Sequence, residues 1–85
     1  MAGVTREIEV SGRARDLAAR SYTIRTIFDA EDDCFVARAE EWPYLAGAED
    51  TPDAAEATLR DAIAIAIEGN LRRGRPIPAP QHATA

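Results

Sequence analysis

Lysine is absent from this 85-residue sequence, and cysteine and histidine each occur once. No apolar run approaches the roughly 20 residues that a membrane-spanning helix requires, and the N-terminus lacks the apolar core of a signal peptide. A lone Cys34 excludes an intrachain disulfide and a cysteine zinc site, and a lone His82 excludes an imidazole cluster. Cys34 reads as a small apolar residue at a strand start, and His82 as a solvated tail residue. There is no glycine-rich phosphate loop, no serine–histidine–acid set and no HExxH, so neither an enzyme nor a cofactor is expected. The basic residues are all arginine and are outnumbered 15 to 10 by acidic ones, for a net charge of −5. Phosphate neutralisation drives much of nucleic-acid affinity, so this balance disfavours a nucleic-acid binder and favours a basic protein partner. A soluble cytoplasmic protein is expected.

A chain this short makes one small domain that buries about 60–65% of its unfolded surface, a marginal fraction that self-association would improve. The stretch around which the rest is organised is 51–74, TPDAAEATLRDAIAIAIEGNLRRG. Thr51 can cap a first turn, Pro52 sits where a missing N–H costs nothing, and Asp53 suits the positive helix end. Arg72 and Arg73 suit the last turn, and Gly74 can take the left-handed conformation that stops a helix. At about 100° per residue, Ala55, Leu59, Ala62, Ile63, Ala66, Ile67 and Asn70 share one stripe with Glu56 at its margin, and that stripe should lie on a sheet. Ile65 falls nearly opposite Ile63, between Thr58, Asp61 and Glu68. It is either a tolerated surface isoleucine or an oligomer contact. Gly69 nearby weakens a helix by about 1 kcal/mol relative to alanine and invites a packing reason, unless the helix frays after Glu68.

Before the helix, Ile8 and Val10 offer a short alternation, frayed or an edge strand. Ser11 then caps a short helix with Ala14, Leu17 and Ala18 at helical spacing, and Arg13, Arg15 and Arg20 read as a solvated face. Residues 22–29, YTIRTIFD, form a β pattern with Tyr22, Ile24, Thr26 and Phe28 on one side and Thr23, Arg25 and Ile27 on the other. An acidic turn, Asp29, Ala30, Glu31, Asp32 and Asp33, returns the chain antiparallel through residues 34–41, with Phe35, Ala37 and Ala39 facing one way and Cys34, Val36 and Arg38 the other. The two alanines leave room for a helix axis to come close. Glu41, Trp42 and Pro43 break the alternation before a third short strand over 44–49. Trp42 either plugs the end of the core or anchors a partner. RPIPAP after the helix must run extended, as an edge strand or a polyproline segment, and residues 81–85 should be a disordered tail. The fold class expected is α+β: a three-stranded antiparallel meander packed by one long helix, with a short N-terminal helix and the option of a fourth edge strand. The carboxylates at 29–33 lack the ligand spacing of a calcium loop, so no metal site is expected.

The order of the pieces is YTIRTIFD, an acidic turn, CFVARAEEWP, EDTPDAAEATLRDAI and GRPIPAP, and it resembles the HicB-type antitoxin domain over about residues 21–80. Tyr22, Phe35, Ala37, Pro43, Asp50, Thr51, Ala55, Leu59, Ala62, Gly74, Ile77, Pro78 and Pro80 fall in matching places. Three positions depart from that pattern. Tyr44 and Glu49 stand where glycines are usual, and Asp53 with Ala54 replaces an acidic pair. Glu49 implies that the entry to the helix needs no positive φ here. The resemblance implies a β-meander crossed by a helix, self-association into dimers or tetramers, and inhibition of a small mRNA-cleaving toxin of the HicA type by direct binding. Residues 1–20 then form an extension with a short helix. The sequence leaves no room for the operator-binding part that many relatives carry, so direct nucleic-acid binding is not expected.

Three functions follow as expectations. The first is a HicB-like antitoxin covering a basic RNA-cleaving partner through Asp29, Glu31, Asp32, Asp33, Glu40, Glu41 and Trp42. The second is a solitary HicB-fold homo-oligomer without a toxin. The third, a nucleic-acid binder using Arg13, Arg15, Arg20 and residues 72–75, is disfavoured by charge.

Overall fold

In the computed structural model, which describes residues 10–81, the elements run α1 (Gly12–Ala18), β1 (Ile24–Asp29), β2 (Cys34–Ala39), β3 (Trp42–Glu49) and α2 (Pro52–Arg73). The strands form one antiparallel sheet in the order β1-β2-β3, an α+β arrangement with both helices packed together. The alternation at Ile8 and the tail from His82 onward lie outside the described residues. No helix among the described residues is long and apolar enough to cross a membrane.

Both helices start and stop where their end residues dictate. Thr51 is extended, and its hydroxyl accepts the Ala54 N–H at 3.1 Å, with Pro52 and Asp53 in the first turn. The helix does not fray after Glu68 but continues to Arg73, where Gly74 at φ 66° closes it and the Arg75 N–H reaches the Asn70 carbonyl at 2.9 Å. An added Cβ at Gly69 would meet nothing within 4 Å, so that glycine has no packing reason among the described residues. Ser11 caps α1 by accepting from the Ala14 N–H at 3.1 Å.

Of the expected stripe, Ala55, Leu59, Ile63 and Ile67 are fully buried, with Ala66 partly buried against the same core. Ala64 is buried as well, and so is Glu68 on the face read as polar, because α1 lies there. Ala14 and Ala18 of α1 belong to the same core cluster, and small residues on both helices let them approach closely. Arg60 reaches from α2 to the carbonyls of Ala18 and Arg20 at 2.7 and 3.1 Å, closing the end of α1.

On the sheet side, Ala37 and Ala39 are buried under α2, as the pattern of small residues predicts. The closest approach belongs to Gly47, which pairs with Ala37: a Cβ there would run into the Ala55 carbonyl oxygen and lie 2.6 Å from the Leu59 nitrogen. Only a residue without a side chain fits that seat. The only positive φ values among described residues are at Asp33 and Gly74, so Glu49 enters the helix without one. Its carboxylate accepts the Thr58 hydroxyl at 2.9 Å.

Three boundaries differ from the pattern. β1 starts at Ile24, because Tyr22 is pulled out of the ladder: its ring packs edge-on against Trp42 and its hydroxyl donates to the Pro78 carbonyl at 2.7 Å. β3 starts at Trp42, not Tyr44. The Ala39–Trp42 pair closes a tight turn, and a register shift between Ala37 and Ala39 absorbs the extra residues of β3. Pro43 is tolerated because β3 is an edge strand. There is no fourth strand among the described residues. The segment 75–80 is held instead by Tyr22 at Pro78 and by the Asn70 side-chain amide, which donates to the Pro76 carbonyl at 3.2 Å.

Candidate functional site

The acidic and aromatic residues expected to form one partner surface are divided between the two ends of β2. Asp29, Glu31, Asp32 and Asp33 lie at the β1–β2 turn, whereas Glu40, Glu41 and Trp42 lie at the β2–β3 turn. Six residues of strand separate the groups, about 20 Å at the usual rise. They do not share a site.

The turn at 30–33 is exposed and self-organised. One carboxylate oxygen of Asp29, itself half-buried, accepts the N–H groups of Glu31 and Asp32 at 3.0 and 3.4 Å. Asp33 adopts φ 53°, a left-handed conformation that a short acidic side chain tolerates. Glu31, Asp32 and Asp33 are left facing solvent. The meander adds Asp50, which follows β3 and is exposed at the same end, because Phe35 at the start of β2 pairs with Glu49. Its contribution was legible only through strand pairing, since Asp50 is far from the turn in the chain. Burial raises the Cys34 thiol above its ordinary value, and the charges of Asp32, Asp29, Asp50 and Asp33 raise it further. Both effects disfavour the thiolate, the form in which a cysteine is reactive.

The opposite turn is closed. Glu41 is 7% exposed and its carboxylate accepts the Thr23 N–H at 3.0 and 3.2 Å, the Thr23 hydroxyl at 3.0 Å and the Gln81 N–H at 2.8 Å. Burial pushes this carboxyl up, but those donors outweigh it and hold it below its ordinary value. Glu41 therefore ties β1's approach to the C-terminal segment, and Gln81 is held by it instead of trailing as part of a tail. Trp42 is 8% exposed and packs at 6.0 Å and 80° against the Tyr22 ring. It plugs the core, and neither Glu41 nor Trp42 offers its side chain to a partner in this conformation. Glu40 is exposed beside them, and its N–H donates to the Thr23 carbonyl at 3.1 Å. An apolar cleft of about 340 Å³ lies at this corner between Trp42, Tyr44, Leu45, Ala66 and Pro78. Trp42 Nε1 is buried without a hydrogen-bond partner among the described residues.

A third acid, Glu68, was read as part of α2's polar face and is instead an internal tie. It accepts the Ser11 N–H at 2.9 Å and pairs with Arg72 at 3.2 Å, and these donors, Ser11 first, hold its carboxyl below the ordinary value. Ile65 is 43% exposed, beside Glu68, Gly69, Arg72 and Arg73. No group of three or more His, Cys, Asp or Glu among the described residues is arranged to hold a metal ion.

No family model, no curated protein and no solved structure matches the chain.

Proposed function

We propose that this chain is a protein-interaction module of the HicB antitoxin type, which neutralises a small basic RNA-cleaving protein by covering its RNA-binding surface. The observation that carries the reading is the exposed acidic end made by Glu31, Asp32, Asp33 and Asp50, on a turn pre-set by Asp29. A fixed cluster of carboxylates steers a cationic partner and competes with phosphates for the same arginines and lysines. Glu40 is a separate exposed carboxylate at the other end of the sheet, while Glu41 and Trp42 support the fold from within. The test is co-expression with an adjacent short basic reading frame, scored by growth rescue and a co-purifying complex. Rescue that is lost when Glu31, Asp32 and Asp33 become amides supports the proposal; no rescue and no complex removes it.

A second reading, a homo-oligomeric module of the same type without a toxin, is favoured by the exposed Ile27, Phe28 and Ile65. A chain that rescues no growth yet sediments as an oligomer fits this reading.

A further inference from the structure

Among the described residues β1 is an edge strand with its outer side open. The Glu40 N–H bond to the Thr23 carbonyl, 3.1 Å, and the unbroken register from Ile24–Ala39 to Asp29–Cys34 set the phase of the ladder. Arg25, Ile27 and Asp29 turn their backbone groups toward β2, so Ile24, Thr26 and Phe28 turn theirs outward. Among the described residues no backbone group bonds to that outer edge. An edge of this kind is a template for another strand, and edges are usually blunted by charge, proline or a bulge. Here the residues along it include Ile27 and Phe28, 59% and 52% exposed.

The run Arg25-Thr26-Ile27-Phe28-Asp29 is complementary to its own reverse. Laid antiparallel about Ile27, a second copy places its Asp29 opposite Arg25, its Phe28 opposite Thr26 and its Ile27 opposite Ile27. The phase agrees with this register: Thr26 and Phe28, whose backbone groups point outward, fall in the hydrogen-bonded pairs. Ile27 falls in a non-hydrogen-bonded pair, where side chains lie closest. Charge agrees as well. Within one chain Arg25 sits directly across from Arg38, an unfavourable like-charge pair, and neither forms an ion pair among the described residues. Asp29 spends one carboxylate oxygen on its turn, and the other accepts no hydrogen bond among the described residues. An Asp29 brought in by a second copy meets Arg25 and offsets that repulsion.

We propose that two copies of this chain pair through β1 in this register, with Ile27 on the two-fold axis, joining their sheets into one continuous sheet with both α2 helices on the same side. The contact is isologous, so the Arg25–Asp29 and Thr26–Phe28 pairs each occur twice and the Ile27 pair, on the axis, once. It stands on the β1 edge alone and holds whether or not a toxin-like partner exists.

Sedimentation of the full chain over a wide concentration range, with amide exchange read at Thr26 and Phe28, tests it. A concentration-dependent dimer is expected, with protection of both amides rising as it forms. Ile27→Lys and Arg25→Asp should each raise the dimer dissociation constant about tenfold or more, and Arg25→Asp combined with Asp29→Arg should return most of the loss. If the double variant fails to fold by circular dichroism, Ile27→Lys decides, because an exposed position tolerates lysine in the monomer. The proposal is overturned by a monomer at every concentration, and equally by protection of Thr26 and Phe28 in a monomer, which would mean the chain covers its own edge. A dimer indifferent to Ile27→Lys but lost in Ile65→Lys would place the contact on α2 and also overturn it.

Discussion

At one end of β2 the carboxylates of Glu31, Asp32 and Asp33 stand in water on a turn that only Asp29 organises. At the other, Glu41 is 7% exposed and accepts from Thr23 and Gln81. Both are acidic hairpin turns of similar composition, yet one is a surface and the other a latch. The difference lies in what passes nearby. The chain leaving α2 crosses the β2–β3 corner and supplies donors and apolar cover, while nothing among the described residues crosses the β1–β2 turn. Charge in a turn thus reports solvation only when the rest of the fold leaves that turn alone.

The largest effect comes from the seat of α2 on the sheet between the two turns, which both of them depend on. Gly47→Ala drives a methyl into the Ala55 carbonyl and the Leu59 nitrogen, so α2 must lift from β3. Its chemical-denaturation midpoint should fall by the equivalent of about 3 kcal/mol or more. No alanine replacement in the open turn approaches that.

Acid comes next. Glu41 and Glu68 are held below the ordinary carboxyl value of 4.5 in the folded chain. A depressed folded value means that their contribution is present above 4.5 and lost as pH falls through the folded values. Stability should therefore drop on acidification below about 4.5, and Glu41→Gln should flatten that drop in thermal melts collected across pH.

On the open side, Asp29→Ala removes the acceptor for two backbone N–H groups at a largely solvated turn. About 1 kcal/mol or less should be lost, read as a small shift of the denaturation midpoint with the fold intact.

Much of the architecture is written locally. Thr51 and Gly74 mark α2, Ser11 marks α1, and the run of small residues at Ala37 and Ala39 announces a close helix. These signals are legible because caps and alternation act within a few residues. What escaped is set by contacts distant in sequence. Glu68 projects to α2's polar face, and only the arrival of Ser11, 57 residues away, makes that position interior. Glu41 looks like a surface acid because its acceptor role depends on Thr23 and Gln81, 18 and 40 residues distant. Gly47 reads only as one residue of the third strand until the helix axis is placed over it. Asp50 joins the open acidic end only through the pairing of β2 with β3.

The most direct test compares the two turns in one equilibrium-unfolding experiment, Glu41→Ala against the triple variant Glu31→Gln, Asp32→Asn and Asp33→Asn. Glu41→Ala should lose about 2 kcal/mol or more, since it strands buried donors, while the triple variant should stay within about 0.5 kcal/mol of the parent. A triple variant destabilised as much as Glu41→Ala, or a Glu41→Ala chain as stable as the parent, would contradict the division of the acidic residues into a latch and a surface.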